Sequence, residues 1–143
     1  MLSDIFTDRL FLVIVFTGLG AQVLKSIVFL IKYKSIHLYD AVTTGGMPSS
    51  HSALMAGLST AIFLKEGATT AFFLAVAILS IIVVDALGVR RTAGEEGKLL
   101  HQVLQKVKLR VKEPHYSLGH TPSEVFVGIV YGILVGLLVF RVW

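Results

Sequence analysis

The sequence predicts an all-α integral membrane protein, built as a bundle of about four transmembrane helices with an amphipathic helix in the third loop. Hydrophobic residues make up 55% of the 143 residues and charged residues only 15%, and the mean hydropathy is +0.79. A soluble domain averages about 25% charged residues, so this composition is typical of a chain surrounded by lipid. The length indicates one domain, over residues 1–143.

Four apolar stretches predict the transmembrane helices. A spanning helix needs about 20 residues, which the first, third and fourth stretches reach. The second is shorter and rich in small residues, so we expect a tilted or partly re-entrant helix buried among the others. The stretches are Leu10–Ile31, Ser49–Leu64, Thr69–Val89 and Pro122–Val142.

The polar segment Arg90–Gly119 separates the third and fourth stretches and carries apolar residues at helical spacing, with lysines opposite. This pattern is typical of an amphipathic helix, which either lies on the membrane surface or caps the bundle. Its apolar positions are Leu99, Leu100, Val103, Leu104, Val107 and Val111.

A stripe of three glycines runs along the fourth stretch, at Gly128, Gly132 and Gly136. Glycines four residues apart let another helix approach closely, either within the subunit or between subunits. Because four short spans form a thin bundle, we expect a homodimer through the fourth helix. The simpler interpretation is that glycine is merely common in membrane helices.

The basic residues predict the orientation. If all four stretches span the membrane, the first and third loops share one face and carry nine Lys and Arg residues, against three on the other face. The positive-inside rule places the richer face in the cytoplasm of a cell or plastid-type membrane, unless the second helix is re-entrant. The net charge of +4 is therefore a topology signal, and no nucleic-acid partner is expected. The absence of cysteine excludes disulfides and thiolate metal sites.

Two polar islands interrupt this apolar chain. The first polar island is GGMPSSHS (Gly45–Ser52), and the second is LGHTPSE (Leu118–Glu124). Each has Ser or Thr beside Pro before an apolar run, which predicts a helix start. Polar groups at the mouth of a membrane helix usually bind a ligand or do chemistry, and helix N-termini attract anions.

In the second island, His120 and Glu124 are four residues apart and share one face of the helix. A carboxylate there can accept a hydrogen bond from one imidazole nitrogen, which leaves the other nitrogen nucleophilic. The simpler alternative is a capping carboxylate beside an interfacial histidine.

In the first island, His51 follows Pro48, Ser49 and Ser50. Hydroxyls and free backbone amides at a helix start suit a phosphate group. A histidine near its ordinary pKa can also protonate a leaving group, so His51 is a candidate general acid. The simpler alternative is a capped interfacial turn.

Other charged residues fall on the same predicted face. Lys25 either snorkels to the interface or neutralises an anionic ligand between helices. Arg90 and Arg91 are either topology signals or a phosphate clamp. A metal site made of His51, Asp85, His120 and Glu124 is a further alternative, although a His-x-x-x-Glu pair alone is weak evidence for one.

The segments GGMPSSHSAL, DALGVRRTAG and LGHTPSEVFVG resemble the small divergent branch of the type 2 phosphatidic acid phosphatase superfamily, which is related to acid phosphatases and vanadium-dependent haloperoxidases. The likeness to this branch covers most of the chain, whereas the parent superfamily is matched only at the polar islands. The resemblance implies a membrane phosphatase that hydrolyses a lipid phosphate or diphosphate monoester through a phosphohistidine, with no metal or other cofactor. The alternative is a non-catalytic membrane protein or transporter that binds an anion in the same pocket.

The resemblance also implies the role of each residue. His120 would attack phosphorus, Glu124 would orient it, His51 would protonate the leaving group and Lys25 would bind phosphate. The chain differs from the superfamily at Ser50, where glycine is usual, at Lys32-Tyr33 in place of Arg-Pro, and at Pro114 in place of arginine. Other groups must then help to bind phosphate. The expected phosphate-binding residues are Lys25, Ser49, Ser50, Arg90, Arg91 and Gly119, with Arg110 as a further candidate.

Overall fold

The computed structural model describes residues 7–33, 46–107 and 119–143, and the elements in these ranges are all α-helices, as predicted. The predicted apolar stretches and the observed helices agree to within two residues at each end. In chain order the helices are α1 (Arg9–Tyr33), α2 (Ser50–Glu66), α3 (Thr70–Leu87), α4 (Val89–Val107) and α5 (Pro122–Val142).

Three helical stretches are long and apolar enough to cross a membrane: α1, α3 continued into α4, and α5. Helix α2 has 17 residues and lies between the other three, packed against α1, α3 and α5. Its small side chains Ala53, Ala56 and Ala61 are buried, because only small residues allow three neighbours to approach one short helix. Large apolar residues face outward on the longer helices, as expected for lipid-facing surfaces. The protein is therefore a membrane protein with a buried second helix, and its orientation remains a prediction.

The glycine stripe packs against α2 within the same chain. A Cβ atom on Gly132 would overlap the carbonyl oxygen of Ala53, and one on Gly136 would lie 3.0 Å from Thr60 Cβ. Of the two uses predicted for the stripe, the contact within the subunit is the one observed. The homodimer remains a prediction, and it would need a different face of α5.

Helix α4 follows α3 after Gly88 and, among the described helices, packs only against α3. The apolar residues Leu99, Leu100, Val103 and Val107 are all more than half exposed. A helix that capped the bundle would bury this face, of which Leu104 alone is partly buried, so α4 does not cap the described bundle, and its position on the membrane surface remains a prediction. Val111 lies outside the described residues.

Candidate active site

The two polar islands are joined through their backbones. The Ser49 N–H group donates to the carbonyl oxygen of Glu124 at 3.0 Å. Gly128 makes this approach possible, because a Cβ atom there would lie 2.5 Å from the carbonyl oxygen of Ser49. The first turn of α2 is thereby held against the first turn of α5. His51 is close enough to His120 to be influenced by its charge.

A third segment completes the cluster, namely the junction of α3 and α4 (residues 85–91). The His120 N–H group donates to the carbonyl oxygen of Ala86 at 3.3 Å. Gly119 has a positive φ of 66°, and a Cβ atom on it would lie 2.6 Å from the Arg91 backbone nitrogen. Glycine is therefore needed here for both its conformation and its close packing. Gly119, predicted to bind phosphate, has a structural role in seating the second island on the junction.

Glu124 makes both of the contacts that the sequence left open. One of its carboxylate oxygens, Oε2, lies 3.2 Å from His120 Nδ1 and accepts a hydrogen bond from the Thr121 N–H group at 2.9 Å. The Thr121 hydroxyl in turn accepts from the Glu124 N–H group, which completes a capping box. With Glu124 ionised, Nδ1 of His120 carries the proton and Nε2 keeps its lone pair. The carboxylate that caps α5 is therefore also the partner of the His120 ring, and the nucleophilic role of Nε2 remains a prediction.

Burial favours the neutral form of His120. The side chain is 11% exposed, and burial is the largest cause that lowers its pKa, with smaller contributions from Lys25 and Arg90. The hydrogen bond and the charge of Glu124 act in the opposite direction. A pKa below the ordinary histidine value leaves the imidazole neutral at pH 7, which is the form that can attack phosphorus.

The pKa of His51 is also lowered from the ordinary histidine value, at which a histidine could act as the general acid expected from the sequence. Desolvation by the surrounding protein is the main cause, although part of the His51 ring is exposed, and the positive charges of Arg90, His120 and Lys25 add to it, while Asp85 opposes them. A phosphate dianion brought into the same cluster would raise the pKa of His51, because a nearby negative charge favours the imidazolium. The role of His51 as a general acid remains a prediction, and a bound anion would favour the protonated form that this role requires.

Lys25 extends from α1 into the interior of the bundle. Its side chain is 6% exposed, and its Cε atom lies 3.2 Å from where a Cβ atom on Gly46 would be. It interacts electrostatically with Glu124 and with both histidines. A snorkelling lysine would reach the interface, whereas Lys25 is buried beside Glu124, and its binding of an anionic ligand remains a prediction.

The structure distinguishes the two neighbouring arginines, which the sequence could not. Arg90 forms an ion pair with Asp85 at 2.5 Å, and its charge acts on both histidines. Arg91 instead pairs with Glu95, one turn further along α4. Arg90 is half exposed, so its guanidinium group is accessible to a ligand while Asp85 holds it near the histidines. Arg110 lies outside the described residues.

The predicted serines occupy different environments. Ser49 is fully buried, and its hydroxyl lies 3.0 Å from the hydroxyl of Ser52, a partner that the sequence did not single out. Ser49 therefore contributes to the packing of α2, and its contact with phosphate remains a prediction. Ser50, the first residue of α2, is only partly buried.

The described residues do not form a metal site. Within residues 7–33, 46–107 and 119–143, no group of three or more His, Asp and Glu side chains is placed to share a metal ion. Asp85, one of the proposed ligands, is paired with Arg90.

Fold and site define a class: a helical membrane protein with two histidines, a buried lysine and an arginine gathered at one end of the bundle. Residues 6–135 match the model of the Divergent PAP2 family, and the chain belongs to this family. The chain is 35% identical over 133 residues to the "Uncharacterized membrane protein YuiD" of Bacillus subtilis (strain 168), an alignment that covers 82% of this chain and 84% of that protein. No solved structure matches the chain significantly.

Proposed function

We propose that the protein is a phosphatase that hydrolyses a lipid phosphate or diphosphate monoester through a phosphohistidine. The observation that carries this proposal is the 3.2 Å contact between His120 Nδ1 and Glu124, made beside Lys25, His51 and Arg90. One neutral imidazole is oriented by a carboxylate, and positive charges surround it. Membership of the Divergent PAP2 family supports a phosphatase-like protein.

This arrangement supports the following reaction. Nε2 of His120 attacks phosphorus in line with the leaving oxygen, forming a P–N bond as the P–O bond breaks. His51 donates its proton to the departing alkoxide, while Lys25 and Arg90 stabilise the charge on the equatorial phosphate oxygens. Water then attacks the phosphorus, His51 takes a proton from it, and the P–N bond breaks. The products are an alcohol, inorganic phosphate and the free enzyme.

The position of the cluster supports a membrane lipid as substrate. His51, His120 and Glu124 lie in or just before the first turns of two helices, and Lys25 lies near the end of α1. A phosphate group at the membrane surface reaches such a site while its hydrocarbon part stays in the membrane. We propose that this face is cytoplasmic, on the basis of the distribution of basic residues.

The proposal is tested by incubating purified protein, with a chelator present, with phosphatidic acid, phosphatidylglycerophosphate and isoprenyl phosphates. We expect phosphate release from at least one of them by the wild type and not by His120→Ala. Equal rates for the two proteins across the whole panel would overturn the proposed function.

The neighbouring arginines offer a matched pair of variants. Because Arg90 acts on both histidines and Arg91 pairs with Glu95, Arg90→Ala is expected to lower kcat/KM far more than Arg91→Ala. A hydrogen bond to a charged group contributes about 1.5–3 kcal/mol, which corresponds to a loss of roughly 10- to 150-fold. Arg91→Ala should stay within about twofold, as is usual when an exposed ion pair is removed. Steady-state kinetics of both variants measures the difference, and equal losses would remove Arg90 from the phosphate site.

A further inference from the structure

Helix α4 has an apolar face that the other described helices leave exposed. Four residues share this face, and each is more than half exposed: Leu99, Leu100, Val103 and Val107. The helix turns another side toward the protein, which is marked by the buried Gly94 and, at helical spacing from it, by the partly buried His101 and Leu104. The exposed apolar face is therefore turned away from the bundle.

The surface of the membrane is the partner that fits this face. Helix α4 starts after Gly88, directly at the end of α3, which belongs to a stretch long and apolar enough to cross a membrane. An amphipathic helix at this level lies with its apolar residues at the boundary between the head groups and the acyl chains of the lipids.

The charges of α4 complement such a surface. Residues 97–107 contain two lysines and no acidic residue, whereas Glu95 and Glu96 lie in the first half of the helix. Lys106 comes seven residues after Leu99, so it lies at the edge of the apolar face, where its ammonium group can reach a lipid phosphate. Charge and apolar character therefore both favour lipid as the occupant of this face.

The other end of α4 carries a residue of the candidate site. Arg90 is the second residue of the helix, and its Nε atom pairs with Asp85 of α3, which leaves the two terminal NH2 groups of the guanidinium available to a phosphate group. Between them, Gly88 has a ψ of −94°, outside the helical range, so α3 and α4 are joined at one non-helical residue. A tilt of α4 about Gly88 therefore moves Arg90 relative to Asp85 and to the two histidines on which its charge acts.

We propose that α4 is an arm through which the membrane surface controls the candidate site: its apolar face docks into the lipid surface beside the bundle, and this docking holds Arg90 in place for phosphate. The control of turnover rests on the proposed function, whereas the docking does not. When α4 is undocked, it turns about Gly88 and Arg90 leaves its place beside His51 and His120.

The first measurement is the depth of α4 in the membrane. Because the sequence contains no cysteine, a nitroxide spin label can be attached to Leu100→Cys on the apolar face or to Gln102→Cys on the opposite side of the helix. The proteins are placed in nanodiscs of equal parts phosphatidylcholine and phosphatidylglycerol. Oxygen dissolves in hydrocarbon and a nickel complex in water, so we expect the ratio of their accessibilities to be at least about tenfold higher at Leu100 than at Gln102.

The second measurement uses a matched pair of substitutions that each add one negative charge. Val103→Glu alters the apolar face, so it should bring the Leu100 label into contact with the nickel complex and lower kcat/KM by about 10-fold, the lower end of the loss expected for Arg90→Ala. Gln105→Glu lies on the polar side and should leave the label depth unchanged and kcat/KM within about twofold of the wild type.

Two further measurements connect the arm to the arginine. In the Arg90→Ala protein, Val103→Glu should cause no additional loss of kcat/KM, because its effect passes through Arg90. Val103→Glu should also weaken the binding of inorganic phosphate, measured as a smaller rise of the unfolding temperature with added phosphate. The unfolding temperature without phosphate should stay that of the wild type, since Val103 is exposed.

The outcomes separate the two proposals. Docking combined with weaker phosphate binding by Val103→Glu, but without hydrolysis by any protein, would support the control of the site by α4 and overturn the phosphatase. Hydrolysis with equal kcat/KM for Val103→Glu and Gln105→Glu would overturn the inference and leave the phosphatase standing. A Leu100 label shielded from both oxygen and nickel would show that this chain or a second copy covers the face, and a label open to nickel would show that the face lies in water. Either result would also overturn the inference.

Discussion

Replacing His120 by alanine is expected to lower phosphate release by at least about 10⁴-fold, the size of loss seen when a member of a nucleophilic catalytic unit is removed. The same change should abolish covalent labelling of the protein by a ³²P-labelled lipid phosphate. The reason is that, in the proposed mechanism, Nε2 of His120 bonds to phosphorus while Glu124 lies 3.2 Å from Nδ1. The measurement is radioactivity that stays with the denatured protein and is labile in acid but stable in base, as expected for a phosphohistidine.

His101 provides the matched control for this prediction. It lies on α4, where its ring is bonded to Gln105, so His101→Ala should leave both turnover and labelling unchanged. Covalent label on the His120→Ala protein would show that another residue is the nucleophile. Turnover by the wild type without any trapped label, even in a rapid quench, would favour direct attack of water.

The same labelling experiment distinguishes the phosphatase from a protein that only binds an anion. Lys32, Tyr33 and Pro114 stand where the superfamily pattern has Arg, Pro and Arg, and this difference is the argument for the binding protein. Arg90 weakens this argument, because the junction of α3 and α4 supplies a guanidinium group near both histidines. A protein that only binds an anion would unfold at a higher temperature in the presence of phosphate and would form no phosphoenzyme.

Gly128→Ala is expected to lower kcat/KM by about 100-fold, the size of effect produced by a misplacement of about 1 Å in a catalytic site. The added Cβ atom would lie 2.5 Å from the Ser49 carbonyl oxygen, so the first turn of α2 must move away from α5. That movement breaks the hydrogen bond from Ser49 to Glu124 and separates His51 from His120. The measurement is steady-state kinetics, together with thermal unfolding of each variant.

Variants of two other glycines show whether Gly128→Ala lowers activity by displacing the site residues or by destabilising the fold. Gly136→Ala belongs to the same stripe but contacts Thr60, two turns further from the site, so it should destabilise the fold with a much smaller loss of activity. Gly18→Ala meets only Leu54 at 3.9 Å and should be neutral or up to about 1 kcal/mol stabilising, because alanine favours the helix. Equal activity of the Gly128→Ala and Gly18→Ala proteins would show that the contact between the islands is dispensable.

The sequence predicted the helices and the capping of α5 well, because both depend on residues close together in the chain. Apolar runs marked the spans, and Thr121 with Glu124 indicated the start of the last helix. The amphipathic pattern of α4 was equally local. The helix against which α4 packs could not be predicted from the sequence. It depends on where α3 ends, at Leu87 just before Gly88, since this end sets the direction in which α4 leaves.

The contacts that assemble the site could not be predicted, since they join segments far apart in the chain. Nothing near Arg90 in the sequence shows that it acts on both histidines while Arg91 turns to Glu95. The lowered pKa of His51 likewise arises from groups on other segments. The glycine stripe could be recognised, but its partner could not, because any helix with small residues would fit it.

The oxygen of Glu124 that caps α5 is the same atom that holds His120. A substitution of Glu124 would therefore affect two properties at once, the stability of α5 and the orientation of the His120 ring. The side chain of His120 takes no part in the capping box of α5, which Thr121 and Glu124 form. If the proposed hydrolysis were lost in a relative, the carboxylate would still stabilise the helix after the histidine had been replaced, so we expect the proposed activity to accompany the histidine and not the carboxylate.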